Sequence, residues 1–412
     1  MKLNYRKTFI LGLGFFVISL VWSIYNYYVP LFLRDFINSQ FWINAIMTFD
    51  NILAVTLIPI IGAMSDNTRT RFGRRMPFLI IGIPISAVLF CALPFYISLL
   101  SLVVILFFLN LSMSIYRAPT IALMPDITPP PLRSKANGVI NFMGGLASVL
   151  VLFVGAFIYE YNKYLLFIAT SVLMLLSLFL LCKFIKEPDK GVVSKEEKIN
   201  IIQALSYIIK DKDKTALYIL CAIFFWFVAY QGVEATFSNY SVYFLGTTEK
   251  TGSIILSSFA GMFLAFAIPS GFIASKIGKK RTILMGITGL VIVFLILSTI
   301  RSTTTLFSLP FNIIMMFLMG IGGFFWSLIN INSYPMVVEC TTEDKIGTYT
   351  GLYYFFSSLA AILGPLMFGF FIDIVGFELM FILSSISFVL AFIFIFLSKP
   401  KASIIINSNK DY

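Results

Sequence analysis

Apolar stretches of membrane length alternate along the chain with short polar or basic breaks. They fall at 8–33, 41–64, 77–97, 99–124, 137–159, 165–181, 216–245, 254–274, 283–300, 306–338, 347–374 and 379–397. Each is close to or above the roughly 20 apolar residues that cross a bilayer as a helix. The first follows Lys2, Arg6 and Lys7, as a signal peptide would, but it is too long and lacks a small-residue cleavage site. It therefore reads as a retained span. One longer polar stretch, 183–214, mixes lysines with acidic residues, while Ile199, Ile202, Leu205 and Ile209 recur at helical spacing. That pattern predicts an amphipathic helix on the membrane face, acting as a connector. The expected organisation is an all-α membrane protein of about 12 transmembrane helices: a first half at 1–182, a linker at 183–214, a second half at 215–398 and a tail at 399–412.

Composition agrees with the pattern. Of the 412 residues 59% are hydrophobic and only 12% charged, more apolar surface than a soluble chain of this length can bury. The net charge of +11 sits in loops between spans. Loops expected outside hold only Arg34, Lys163, Lys250 and Arg301, so lysine and arginine bias places both termini in the cytoplasm of a multi-pass plasma-membrane protein. There is no histidine, which removes the commonest general base and metal ligand. Cys91, Cys182, Cys221 and Cys340 lie far apart and read as small core residues. No nucleophile–base set or metal-ligand spacing points to an enzyme. The expected partners are a small neutral solute and the lipid bilayer, with no cofactor and no nucleic acid, for a monomer.

Three ionisable residues fall inside spans. Asp50, beside Asn51, stands roughly 24 Å along its helix from Asp66 at a rise of ~1.5 Å per residue. A carboxylate at that depth costs on the order of 2.5–3.5 kcal/mol, so it faces a bundle interior or an aqueous cavity. Arg117 stands roughly 14 Å from Asp126 by the same rise and needs an anionic partner, water, or a snorkelling path to the edge. Glu234 lies in the seventh span, either as a third buried ion or as a cap at its outer end. Polar and aromatic neighbours are candidate contacts for a sugar: Trp22, Tyr25 and Asn26 in the first span, and Asn141 in the fifth. The seventh adds Trp226, Tyr230 and Gln231, and the tenth adds Trp326 and Asn330. For the first-span aromatics an interfacial belt is the alternative, and for Asn141 a hydrogen bond between helices.

The loop after the second span reads Ser65-Asp66-Asn67-Thr68-Arg69-Thr70-Arg71-Phe72-Gly73-Arg74-Arg75-Met76-Pro77. It puts a carboxylate among arginines, either a latch between helices or a topology marker. The halves also repeat. Asn26-Tyr27-Tyr28-Val29 echoes Asn239-Tyr240-Ser241-Val242, and Gly62 with Gly73-Arg74-Arg75 echoes Gly271 with Gly278-Lys279-Lys280. Arg117 and Asp126 have the spacing of Asn330 and Glu339. A shared offset of about 209–213 residues is the mark of two parallel six-helix repeats with a site between them.

Gly62-x-x-x-Asp66 followed by Arg71-Phe72-Gly73-Arg74-Arg75 resembles the loop between helices 2 and 3 of major facilitator transporters. Ser-Asp-x-x-x-x-Arg-Phe-Gly-Arg-Arg-x-Pro-Phe resembles the sucrose and maltose–proton symporter branch of the glycoside–pentoside–hexuronide cation symporters. Tyr116-Arg117-Ala118-Pro119, followed by Ala122-Leu123-Met124-Pro125-Asp126-Ile127-Thr128-Pro129, resembles bacterial members of that branch. The resemblance implies the major facilitator fold, two pseudo-symmetric six-helix bundles with spans 1, 4, 7 and 10 lining a central cavity. It also implies secondary transport of a neutral sugar by alternating access. The melibiose branch carries two carboxylates where this chain has Ala54 and Ile58, which favours protons over sodium as the coupling ion. Plant sucrose symporters carry a functional histidine that is absent here.

Asp50, Arg117 and Glu234 are then the expected coupling residues: two carboxylates face one cation, and one that is desolvated and unpaired can take up a proton. Gly62, Asp66, Arg71, Gly73, Arg74 and Arg75 are expected to hold the cytoplasmic side shut. The rival readings are an exporter of drug or lipid-like solutes on the same fold and a membrane sensor or scaffold that transports nothing.

Overall fold

The apolar stretches fold as long helices because a segment without water must satisfy its own backbone hydrogen bonds. The computed structural model describes residues 3–187, 205, 208–209, 213–306, 308–341 and 345–399. Twelve described helices are long and apolar enough to span a membrane. The first half holds α1 (Tyr5–Arg34), α2 (Gln40–Asn67), α3 (Met76–Ala92), α4 (Leu99–Ile127), α5 (Arg133–Tyr161) and α6 (Lys163–Phe184). The second holds α7 (Thr215–Asn239), α8 (Glu249–Ile277), α9 (Lys279–Thr299), α10 (Phe311–Val338), α11 (Ile346–Val375) and α12 (Met380–Leu397).

Local chemistry sets their ends. The Asn4 side chain accepts from the Lys7 amide at the start of α1, and Ser98 and Ser101 form a reciprocal capping box on α4. At the other end of α4, the Arg133 guanidinium donates to the carbonyls of Pro125 at 2.9 Å and Thr128 at 3.3 Å. That bond draws Arg133 into the first turn of α5, so α5 begins ahead of its apolar run at 137. The tenth span also starts later than the expected 306: Thr305–Leu306 pairs antiparallel with Leu309–Pro310, and α10 opens only after Pro310. A π-helical turn, Tyr240–Phe244, extends α7 to the length expected of the seventh span. Of the amphipathic segment expected in the linker, Ile199 and Ile202 lie outside the described residues. Leu205, Ile208 and Ile209 are helical, and Ile208 is buried.

Within the first half α1 packs on α5 and α6, and α3 and α2 on α4; within the second α7 packs on α11 and α12, and α8 on α10. Small residues permit these approaches. A Cβ on Gly82 would meet Tyr116 across α3–α4, and one on Gly323 would meet the Phe259 backbone across α8–α10. Three helix pairs join the halves: α2 with α11, α5 with α8, and α1 with α7. Moving six helices along the chain turns the α2–α11 pair into α8–α5, so the contacts obey the repeat visible in the sequence.

The two ends of this interface differ. At the end away from the basic loops it is tightly closed. Asp373 of α11 sits on the N-terminus of α2, accepting from Ser39 Oγ at 2.5 Å, the Gln40 amide at 2.6 Å and the Phe41 amide at 3.0 Å. A carboxylate there satisfies free helical amides and the positive end of the helix dipole, from the opposite half. Beneath it Asn239 donates to Gln40 at 3.0 Å, Gln40 to Asn44 at 2.8 Å, and Asn44 to the Pro365 carbonyl at 2.7 Å, all buried. Tyr27 donates to the Glu249 carbonyl and Lys250 pairs with Glu160, both at 2.8 Å.

At the basic end the halves part. Gly62, Gly138, Gly271 and Gly351, on α2, α5, α8 and α11, would each project a Cβ into open space. Between Phe49 and Met64 no residue of α2 is buried. Replacing Asp373 with Ala should therefore loosen only the closed end. The expected result is faster thiol labelling of an added Asn44→Cys probe, with no fall in melting temperature beyond about 1–2 kcal/mol of lost cap.

Candidate functional site

The opening between the halves ends in two adjoining cavities near mid-membrane. The first, about 350 Å³, is polar: α1 gives Trp22 and Asn26, α2 gives Asp50 and Asn51, α4 gives Arg117, and α7 gives Gln231 and Glu234. The Arg117 guanidinium lies 5.5 Å from the centre of the Trp22 ring. No ion pair within 4 Å joins it to Asp50 or Glu234 among the described residues, although all three face the same space. Arg117 thus stays in the cavity rather than snorkelling to the edge. Asp50 accepts from the Asn51 amide at 2.6 Å. Asn26 donates to Glu234 at 3.4 Å, a bond from α1 to α7 that crosses between halves. Glu234 is therefore part of the interface wall and does not cap an outer end. The Trp22 indole N–H is buried with no acceptor.

The second cavity, about 330 Å³, shares Ser23, Asn26, Ser148 and Glu234 with the first. Ser23 and Ser148 bond each other at 2.8 Å across α1–α5. Beyond this wall the cavity enters the second half between α7, α8, α9, α10 and α12. Tyr230 and Trp326 stand parallel there, ring centres 4.5 Å apart and planes within 1°. Asn330 is at its polar rim, and Phe259, Phe263 and Phe294 make its apolar walls.

The helices expected to line a cavity do so, yet four expected contacts lie elsewhere. Tyr25 turns away into the first half, where its hydroxyl accepts from Asn110 at 3.0 Å and its ring meets Trp22 edge-on. Trp226 is fully buried and lines neither cavity. Asn141 is exposed near the open end of α5. Arg71 lies over the Phe72 ring at 4.7 Å and pairs with no carboxylate among the described residues. The apolar contributors Phe259, Phe263 and Phe294 were not singled out by sequence, since one Phe among 45 carries no signal of its own.

The expected cytoplasmic gate is assembled, but inside one half. Asp126, at the end of α4, takes Arg74 at 2.5 Å and Arg75 at 2.9 Å, while Arg75 also reaches Asp66, Ser65 and the Gly62 carbonyl. Glu187, just after α6, accepts from the amides of Arg74 at 2.8 Å, Arg75 at 2.9 Å and Met76 at 2.7 Å, where α3 begins. Gly73 is needed twice: its φ of +104° suits glycine, and a Cβ would strike Glu187 at 2.6 Å. All of these partners belong to the first half, and the cluster is intact while the basic end stands open. It braces α2, α3, α4 and the segment after α6, and in this conformation it does not join the halves.

Arg75 and Asp126 are 6% and 11% exposed, so removing one partner leaves a charge in a dry site. Arg75→Ala should cost about 3–5 kcal/mol of stability, read as a lowered melting temperature in detergent.

Twelve spans in two halves around an interfacial cavity that opens at one end define a secondary transporter. The chain belongs to the Major Facilitator Superfamily, whose family model matches residues 11–334 and 245–411. The nucleoside transporter NupG, solved as a point mutant, superposes with a TM-score of 0.78 at 13% identity, covering 95% of this chain and 100% of that one. A bacterial homologue of the human lysosomal transporter Spinster, inward-facing and occupied, gives 0.72 at 12% identity, covering 97% of each. A D-xylose–proton symporter gives 0.68 at 16% identity, covering 95% and 97%. At these identities the likeness is one of fold. A search of curated protein sequences finds no significant match.

Proposed function

We propose that the protein is a proton-coupled symporter of a neutral sugar, in the sucrose and maltose–proton branch that its loop motifs resemble. One observation carries this: the interfacial cavities combine hydroxyl-binding amides, Asn26, Asn51 and Gln231, with a flat aromatic pair, Tyr230 and Trp326. Sugars need both, because their edges hydrogen-bond and their ring faces stack. The nucleoside transporter and the xylose–proton symporter among the structural neighbours fit cargo of this kind.

Asp50 and Glu234 supply two carboxylates around one cation, Arg117. A proton bound by either removes a charge from the gap, so the halves can close over the cargo at lower cost. The basic end faces the cytoplasm by lysine and arginine bias, making the present form open inward. An outward form requires the Asp373 cap and the Asn239–Gln40–Asn44 chain to part. Asp50, Arg117 and Glu234 serve coupling, and Trp22, Asn26, Asn51, Tyr230, Gln231, Trp326 and Asn330 serve the cargo.

The apolar lining of the second cavity favours one other reading, export of a lipid-like solute. Uptake of labelled sucrose and maltose into proteoliposomes separates the two. Accumulation driven by an inward proton gradient supports symport. Folded protein that moves no sugar under any gradient removes the sugar from the account.

A further inference from the structure

We infer that the preferred cargo is a glycoside with an apolar aglycone, held by both cavities at once, and this rests on the sugar reading given above. The two cavities are of similar size and meet at one wall, so a ligand longer than one ring spans both. Their chemistry differs sharply. On the first side Asp50, Arg117, Gln231 and the unpartnered Trp22 N–H offer partners for sugar hydroxyls.

On the second side the polar groups are mostly used at the shared wall, where Ser23 bonds Ser148 and Asn26 bonds Glu234. Past the wall, Leu256, Phe263, Leu290, Phe294, Met319 and Phe388 enclose the space. A second sugar ring placed there would lose water from hydroxyls that this lining cannot match. An aryl or short alkyl group loses nothing and buries apolar area. Room is sufficient, since an apolar cavity of roughly 150 Å³ already takes benzene and this one measures about 330 Å³. Tyr230 on Trp326 forms the flat entrance through which such a group would pass. A disaccharide is thus the poorer fit of the two sugar classes.

The test is competition by methyl glucoside, phenyl glucoside and maltose against a labelled glucoside, using the full-length protein in lipid nanodiscs. Phenyl glucoside is expected to bind at least about tenfold tighter than methyl glucoside and than maltose, the usual return on filling an apolar pocket. Ala260 lines the second cavity, so Ala260→Leu should abolish the phenyl advantage and leave methyl glucoside binding intact, which also reports a folded protein. Met319→Phe narrows the cavity from α10 and should act alike.

Equal affinity for the methyl and phenyl compounds overturns the inference and leaves sugar transport standing. So does an equal loss of both in the two variants. If no glucoside binds while phenol or an alkyl alcohol does, the sugar reading fails and this inference falls with it.

Discussion

Asp50→Asn is expected to abolish accumulation of sugar against its gradient while sparing exchange of sugar down its gradient. Asparagine keeps the shape and the hydrogen-bonding edge of the side chain but binds no proton. The carboxylate lies in the polar cavity beside Asn51 and faces Arg117 and Glu234 without a direct ion pair to either. A group placed so can change charge without dismantling a bonded network. In the variant the accumulation ratio should fall to roughly one, because fluxes with no shared proton-binding group have no coupling free energy. Counterflow in proteoliposomes measures the exchange that remains. Loss of both activities would make Asp50 a binding or folding residue. Retention of both would move coupling to Glu234.

Gly369→Val is expected to arrest the cycle by a different route, with transport falling at least tenfold while the protein still folds. Gly369 lies on α11 one turn before Asp373, against the start of α2 in the other half. A Cβ there would stand 2.6 Å from the Phe41 Cα and 2.8 Å from the Gln40 carbonyl. Ordinary carbon contacts lie at roughly 3.5–4.0 Å, and backbone cannot rotate aside as a side chain can. The collision exists only when this end is closed, so the substitution penalises one state. States of a transporter differ by a few kcal/mol, within reach of one steric wedge. Labelling of an Asn44→Cys probe should rise in Gly369→Val above its rate on the unsubstituted glycine. Unchanged labelling with lost transport would mean the wedge acts elsewhere.

Both sites show what the sequence discloses. Twelve apolar stretches were legible because a helix in lipid must be long and nearly charge-free, and Asp50, Arg117 and Glu234 stood out as exceptions to that rule. The repeat was legible too, as Arg117 and Asn330 hold matching places and both reach the cavities. The rotation of each helix was not legible. Spans apolar on all sides carry little amphipathic signal, so Tyr25 and Trp226 could not be told from Trp22 and Tyr230.

Nor could sequence say which arginines of the loop turn inward. Arg74 and Arg75 find Asp126, while Arg71, three residues away, rests on Phe72. Asp373 was invisible for a related reason. At the edge of a span it reads as an ordinary interfacial charge, and its partners at 39–41 are more than 330 positions away. Glu187 likewise reads as linker charge until α3 brings its N-terminal amides to it.

The most direct measurement is the pH of a weakly buffered medium around de-energised proteoliposomes when glucoside is added. Coupled symport predicts that the medium turns alkaline as protons enter with the sugar, in the intact protein and not in Asp50→Asn. Entry of labelled sugar with no change in pH would contradict the account.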